Sequence, residues 1–289
     1  MTQKLIGKSA VVTGGGGGIG RGICLALAEE GAGVVVNDVG RDVSGKNAAD
    51  KVVDEIKKAG GEACAAYDSI ATMQGGQNII KAAINKFGKV DILVNCAATV
   101  WDRSIEDMTE KEWDSLLDVQ LKGYFSTVKA AIPDMIKRKG GRIINFSSRA
   151  ATFGSPNAAY STAKAGILGF TVSLSIELKK YGITANVVIP SAETATFPRP
   201  LNALDKMGFG LGDGMPVTPV RDPDYIAPIV VFLATDEAKN ISSQFIYSSG
   251  GDICIYARPF QLPGPHQFLR KNGKWTVDEL GKVLPTLIK

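Results

Sequence analysis

Short apolar runs alternate with longer amphipathic stretches along most of the chain. The apolar runs are predicted strands at Ala10–Val12, Val34–Val36, Ala63–Ala66, Ile92–Val94, Ile143–Phe146, Ala185–Ile189 and Phe245–Tyr247. The stretches with helical periodicity are Gly18–Glu30, Ala48–Ala59, Gly75–Phe87, Lys111–Lys137, Ala158–Lys179 and Asp224–Leu233. Wholly apolar strands that alternate with helices are typical of a parallel sheet covered on both faces. The pattern therefore predicts one α/β domain with a doubly wound sheet and ligands at the carboxyl ends of its strands.

Two segments interrupt this alternation. Residues 191–222 are rich in Pro, Gly and Thr, so we expect a lid over a ligand site within a domain of residues 1–256. Residues 257–289 begin with several prolines and contain a predicted short helix at Val277–Val283. Because this extension has more apolar side chains than a free tail would carry, we expect it to pack on the body or on a neighbouring subunit.

Composition narrows the possible chemistry. The 33 Lys and Arg exceed the 29 Asp and Glu by only four, which is too small an excess to indicate nucleic acid binding. The single histidine, His266, lies in the extension, which argues against histidine triads and against metal sites. The four cysteines are widely spaced, as expected of reduced thiols. No signal peptide or membrane span is indicated, so we expect a cytoplasmic protein without a membrane partner.

A glycine-rich turn connects the first predicted strand to the first predicted helix. Glycines in that place let the backbone approach a pyrophosphate, which the helix N-terminus then stabilises. Two registers fit the run, either GxGxxG at Gly15, Gly17 and Gly20 or TGxxxGxG at Thr13, Gly14, Gly18 and Gly20. The turn predicts a dinucleotide site.

Acidic residues end the second and third predicted strands. Asp38 follows Gly20 by 18 residues, where a carboxylate accepts hydrogen bonds from the adenosine ribose and repels a 2′-phosphate. This position favours NAD over NADP, although Arg41 nearby could soften the preference. Asp68 and Ser69 would lie beside the adenine or, alternatively, cap the next helix.

Tyr160 and Lys164 have the i, i+4 spacing that places two side chains on one helix face. A phenol is a poor base at neutral pH, but an adjacent ammonium group favours the phenolate. The pair follows Ser147 and Ser148, which end a predicted strand, and this combination is far more specific than the Tyr–Lys pair alone.

These features together resemble the short-chain dehydrogenase/reductase family. The resemblance covers about Lys4–Gly251 and includes the TGxxxGxG run, the strand-end serine and the segment Tyr160–Lys164. It is greatest for the D-3-hydroxyacyl-CoA dehydrogenases of multifunctional enzyme type 2. The resemblance implies a Rossmann-type fold, dimers or tetramers, NAD(P) as cofactor, and interconversion of a secondary alcohol and a ketone on an acyl-CoA substrate; Asp38 makes NAD the cofactor that we expect.

The resemblance also implies roles for individual residues. Tyr160 would be the acid/base, Lys164 would assist it and hold the nicotinamide ribose, and Ser148 would hydrogen-bond the substrate oxygen. Ser147 remains an alternative, since the usual interval before the tyrosine selects it. Gln120 stands where the family has an asparagine that supports the lysine. The implied cofactor contacts are Gly14, Gly18, Ile19, Gly20, Asp38, Asp68, Ser69, Asn95, Ala97, Tyr160, Lys164 and Pro190.

Departures from the family pattern keep other functions open. Ala98 replaces a glycine after the fourth strand, Gln120 replaces the asparagine, and Ser191 replaces a glycine after Pro190. They motivate a second hypothesis, a weakly active or non-catalytic subunit that supports an active paralogue in a homo- or hetero-oligomer. A third hypothesis is an NADP-dependent steroid or polyol reductase.

Overall fold

The structure, a computed structural model, describes residues 3–41, 44–101, 103–194, 220–256 and 267–287. Most of the predicted lid, residues 195–219, and the first part of the extension, residues 257–266, lie outside the described residues. His266 is among the latter.

A single nine-stranded sheet forms the centre of the fold, in the order β3-β2-β1-β4-β5-β6-β7-β8-β9. The strands are β1 (Ser9–Thr13), β2 (Gly33–Asn37), β3 (Ala63–Ala66), β4 (Ile92–Asn95), β5 (Gly141–Phe146), β6 (Ile183–Pro190), β7 (Phe245–Ser249), β8 (Asp252–Tyr256) and β9 (Gln267–Arg270). Strands β1 to β7 are parallel, and β8 and β9 add to them antiparallel. The order reverses between β1 and β4, which is where doubly wound sheets bind ligands.

Helices cover both faces of the sheet. They are α1 (Gly18–Glu29), α2 (Ala48–Lys58), α3 (Met73–Phe87), α4 (Glu110–Leu117), α5 (Gly123–Arg138), α6 (Ala150–Phe153), α7 (Ala158–Glu177), α8 (Ala227–Ala234) and α9 (Val277–Leu287). One core lies under α1, α2, α8 and α9, and a second lies under α3, α5 and α7. The predicted doubly wound, Rossmann-type fold is therefore confirmed.

The helices begin and end where local signals place them. Thr72 accepts a hydrogen bond from Gly75 N–H at the start of α3, and Gly88 ends that helix with a φ of +78°. Thr109 and Glu112 form a capping box at the start of α4. Such caps satisfy backbone groups that a helix end leaves unpaired. Within the described ranges, no helix is long and apolar enough to cross a bilayer.

Some elements differ from the prediction. The predicted helix Lys111–Lys137 is divided by a π-helical turn, Asp118–Lys122, between α4 and α5. Strands β8 and β9 were not predicted from the sequence. They pair antiparallel at the edge of the sheet, β8 with β7 and β9 with β8, and this pairing depends on the folded position of the neighbouring strand. The β7–β8 hairpin turns at Gly250, whose φ of +52° favours glycine.

The C-terminal extension supplies part of the first core. Trp275, Leu280 and Leu284 are buried there, and α9 packs against α8. Lys4 forms ion pairs with both Glu237 and Asp278, at 3.0 and 2.5 Å, and so joins the start of the chain to α9. These contacts tie the described part of the extension to the body of the domain.

Candidate active site

The glycine-rich turn lies between the carboxyl end of β1 and the N-terminus of α1. Gly14 and Gly18 have φ of +69° and +47°, and a Cβ on Gly14 would lie 2.7 Å from Ala97 Cα. Gly15 and Gly17 do not have positive φ. The backbone thus needs glycine at two positions of the TGxxxGxG register, which favours that register over GxGxxG.

The turn leaves room for an anionic group. A Cβ added to Gly17 would meet nothing within 4 Å, and no side chain in the described structure caps α1. The first turn of α1 therefore has no side-chain cap among the described residues, so its N–H groups remain available to a pyrophosphate. Ile19 and Gly20 follow in α1, where Ile19 packs on the first core and a Cβ on Gly20 would overlap Gly14 O. The residues present fit a dinucleotide.

Asp38 follows β2, and backbone amides hold both of its carboxylate oxygens. Gly16 N–H donates to one oxygen at 2.9 Å, and Gly40 N–H donates to the other at 2.7 Å. The carboxylate is half-buried beside the glycine-rich turn, with its orientation set by these bonds. Arg41 points elsewhere, since its Nη1 lies 3.5 Å from Gly45 O.

Asp68 and Ser69 follow β3 at the same edge of the sheet. Asp68 Oδ1 accepts from Asn78 Nδ2 at 2.8 Å, and Ser69 Oγ accepts from Ala71 N–H at 3.3 Å. The Asp68 carbonyl accepts from Asn37 Nδ2, which anchors this loop to the end of β2. Both residues thus stand next to Asp38's strand, and both also stabilise the turn into α3.

The segment after β4 closes the turn from the other side. Thr13 Oγ1 accepts from Cys96 N–H and Ala97 N–H, each at 3.2 Å, which fixes the segment to β1. Burial raises the pKa of Cys96 to about 12, so its thiol stays protonated. The Asn95 side chain is fully buried and bonds to Asn145 and Thr127, so it braces the strands from within the core.

The two candidate serines occupy different environments after β5. Ser147 is buried, and its Oγ donates to the Lys164 carbonyl at 2.8 Å within α7. Ser148 is half-buried, and among the described residues its Oγ only accepts a 3.2 Å bond from Ala150 N–H, which leaves the hydroxyl proton available to donate. The geometry therefore favours Ser148 as the serine that meets a ligand.

Tyr160 and Lys164 lie on the first turns of α7. Asn157 caps this helix by accepting from Tyr160 N–H at 2.9 Å, and its Nδ2 donates to Trp101 O. Lys164 Nζ lies 5.7 Å from the centre of the Tyr160 ring. Asn157 was not among the predicted site residues, although an asparagine before a helix is a recognisable cap signal.

Lys164 is buried, with 2% of its surface exposed. Its Nζ donates to Phe146 O at 3.0 Å and lies 5.7 Å from the ring of Tyr124, whose hydroxyl bonds the carbonyls of Ala97 and Phe146. Burial lowers the pKa of Lys164 to about 8. Tyr124 is a supporting residue that the motif spacing did not reveal.

Gln120 lies in the π-helical turn and is fully buried. Its Nε2 donates to Thr99 O, while its Oε1 is buried without a partner among the described residues. An unpaired buried acceptor is costly and suits a water or a ligand donor. Pro190 ends β6 at the same edge of the sheet.

The described residues contain no group of three or more His, Cys, Asp or Glu side chains that could hold a metal ion. The polar groups that a ligand could meet instead follow the carboxyl ends of β1, β2, β3 and β5. A turn for phosphates, an oriented carboxylate, an accessible serine and a tyrosine beside a buried lysine can together support proton transfer next to a bound dinucleotide.

Comparison with known proteins shows the family of the chain. The family model for short chain dehydrogenases matches residues 8–202. The chain is 38% identical over 263 residues to the peroxisomal hydratase-dehydrogenase-epimerase of Neurospora crassa, covering 91% of this chain but 27% of that protein. It is 38% identical to the 3-oxoacyl-[acyl-carrier-protein] reductase of Staphylococcus epidermidis, covering 84% of this chain and 98% of the reductase.

A solved structure shows the same fold. A short chain dehydrogenase from Mycobacterium avium aligns with a TM-score of 0.77 at 36% identity and covers 99% of this chain and 95% of that one. The chain therefore belongs to the short-chain dehydrogenase family, whose members bind a nicotinamide dinucleotide and are oxidoreductases.

Proposed function

We propose that the protein is an NAD-dependent dehydrogenase that interconverts a 3-hydroxyacyl-CoA and a 3-oxoacyl-CoA. The observation that carries the proposal is the position of the buried Lys164, whose Nζ bonds Phe146 O at the end of β5, two residues before Ser148, and lies 5.7 Å from the centre of the Tyr160 ring. The Tyr124 hydroxyl bonds the same carbonyl and that of Ala97, which borders Gly14 of the glycine-rich turn.

The chain's own residues would handle the proton. Tyr160 would accept the hydroxyl proton of the substrate, and the nearby ammonium of Lys164 would stabilise the phenolate. Ser148 would donate a hydrogen bond to the substrate oxygen, which gains negative charge as the proton leaves. NAD, when bound, supplies the acceptor for the hydride that leaves the carbinol carbon.

Asp38 supports the choice of NAD. Its carboxylate is held in place by the amides of Gly16 and Gly40, so it cannot swing away to admit a 2′-phosphate without breaking two hydrogen bonds. The nearby cation that could neutralise it, Arg41, points toward Gly45 instead. A fixed negative charge at this place disfavours NADP.

The name of one relative supports an acyl thioester as the substrate. One relative combines a dehydrogenase with a hydratase and an epimerase, and another reduces a 3-oxoacyl group on acyl carrier protein. Because of the second relative, a thioester on acyl carrier protein is the alternative substrate. The second name specifies a 3-oxoacyl group on a carrier protein.

The test measures oxidation of 3-hydroxybutyryl-CoA and a longer 3-hydroxyacyl-CoA, and reduction of the 3-oxoacyl forms on CoA and on acyl carrier protein, each with both cofactors. We expect turnover of CoA substrates with NAD(H). Tyr160→Phe should lower kcat by about 10²–10⁴-fold and leave NADH affinity nearly unchanged, because the ring remains while the acid/base is lost. Tyr181→Phe, the same change in the helical turn Lys179–Tyr181 after α7, serves as the control variant.

Other outcomes would replace the proposal. Activity only on the carrier-protein substrate would assign the reductase function instead. A purified protein that binds NADH but is inactive, and a paralogue complex whose activity survives Tyr160→Phe, would favour the supporting-subunit hypothesis. Turnover of steroids or polyols with NADPH would favour the third.

We also propose that the protein works as a dimer or tetramer in the cytoplasm. Phe125 on α5 and Ile176 on α7 remain 42% and 69% exposed, as expected of faces that another subunit covers. The four cysteines are free, which suits a reducing compartment. Sedimentation velocity of the wild type and of Ile176→Glu would test the assembly, and a monomeric wild type would refute it.

A further inference from the structure

The C-terminal extension reaches the candidate active site through the β7–β8 turn. Trp275 is buried, and its indole Nε1 donates to the carbonyl of Gly251 in that turn. The backbone of the extension packs directly on the same glycine, since a Cβ on Gly251 would lie 3.0 Å from Gly273 O and closer still to Lys271 O. The turn is therefore held on one side by residues 271–275.

The other side of this turn holds the segment that follows β6. Ser191 N–H donates to Ser248 O at 3.0 Å, and Ser249 Oγ donates to Ser191 O at 2.7 Å. Both main-chain groups of Ser191 are thus bound to the end of β7. A shift of the β7–β8 turn would therefore also shift the segment after β6.

That segment continues to the N-terminus of α1. Thr194 lies against Gly18, where a Cβ on the glycine would be 3.2 Å from Thr194 Cγ2. Glu193 N–H donates to Arg221 O at 2.8 Å, so the chain entering residues 195–219 and the chain leaving them are bonded to each other here. Residues 190–194 therefore border the glycine-rich turn that fits a pyrophosphate.

We propose that Trp275 is a positioning residue for cofactor binding, which it supports by holding the β7–β8 turn and, through Ser249 and Ser191, residues 190–194 against the start of α1. The inference rests on the proposed function only in requiring that a nicotinamide dinucleotide binds at the glycine-rich turn. It assigns the extension a role in the site of its own subunit.

The test compares Trp275→Phe, Ser249→Ala and the double variant by fluorescence titration, using whichever of NADH and NADPH the wild type binds more tightly. Phenylalanine keeps an aromatic ring but loses the N–H donor, and alanine removes the hydroxyl that holds Ser191. Each single variant should raise the dissociation constant about three- to tenfold, as expected for one buried hydrogen bond. The dissociation constant of the double variant should be no higher than that of the single variant with the larger effect, because both substitutions act on the same segment.

Lys4→Met is the matched control. It removes the ion pairs to Glu237 and Asp278 that also hold α9, but within the described structure Lys4 forms no hydrogen bond or ion pair with the turn. Its dissociation constant should stay within twofold of the wild type, and kcat at saturating cofactor should change less than twofold in Trp275→Phe.

Three results would overturn the inference. In the first, Trp275→Phe and Ser249→Ala both bind the cofactor within twofold of the wild type. In the second, Lys4→Met raises the dissociation constant as much as these variants do. In the third, the dissociation constant of the double variant rises by the product of the two single effects. Ser249→Ala keeps the test decisive if Trp275→Phe does not fold. A wild type that binds neither dinucleotide would reject the proposed function itself, which distinguishes that failure from the failure of this inference.

Discussion

Replacing Lys164 with methionine is expected to make the cofactor-free protein more stable while it abolishes most activity. The lysine is 2% exposed, and burial lowers its pKa from 10.5 to about 8. One pKa unit corresponds to about 1.4 kcal/mol, so the buried ammonium costs the folded state roughly 3 kcal/mol. Methionine has a similar length and carries no charge to bury.

The lost hydrogen bond offsets part of this gain. Lys164 Nζ donates to Phe146 O, but the hydroxyl of Tyr124 also donates to that carbonyl at 3.3 Å, so the acceptor keeps a partner. Loss of one such bond costs about 1 kcal/mol. We therefore expect Lys164→Met to raise the free energy of unfolding by about 1–2 kcal/mol at pH 7, which corresponds to a few degrees in Tm.

The pH dependence provides the sharper assay. Between about pH 8 and pH 10.5 the unfolded chain holds the lysine proton and the folded chain does not, so the wild type gains stability as pH rises through this window. The variant lacks this gain, and its advantage should shrink from pH 7 to pH 10.5 in urea titrations. Lys57→Met, an exposed change on α2, is the control. A Lys164→Met protein less stable than the wild type at pH 7, or an advantage independent of pH, would refute the reasoning.

Three further predictions follow from the site and the core. Asp38→Ser should raise the affinity for NADPH relative to NADH at least tenfold, which is about 1.4 kcal/mol. Fluorescence titration with both cofactors would measure this ratio, and an unchanged ratio would mean that Asp38 does not discriminate between the cofactors. Ser148→Ala should lower kcat about 10²-fold or more. Ser147→Ala should mainly reduce Tm, because the Ser147 hydroxyl bonds the α7 backbone. The reverse pattern in steady-state kinetics and calorimetry would select Ser147 as the substrate-binding serine. Leu280→Ala should reduce the free energy of unfolding by about 2–5 kcal/mol in urea titrations, and a loss below 1 kcal/mol would mean that α9 contributes little to the core.

The two candidate serines show what motif counting leaves open. The interval before Tyr160 points to Ser147, while the strand alignment points to Ser148. The two differ in environment because adjacent residues at a strand end face opposite sides, and only the fold shows that Ser147 faces the α7 backbone. Asn95 is a similar case, since its side chain belongs to a buried network with Asn145 and Thr127.

Local signals in the sequence determined most of the architecture. Apolar strands, helical periodicity and the glycines between β1 and α1 predicted the doubly wound sheet and the Tyr160–Lys164 pair, because each depends on residues close together in the chain. Tertiary structure alone decided the π-helical turn at Gln120, the burial that lowers the pKa of Lys164, and the contact of Trp275 with Gly251. These depend on contacts between distant elements, which exist only once packing has fixed the positions of both partners.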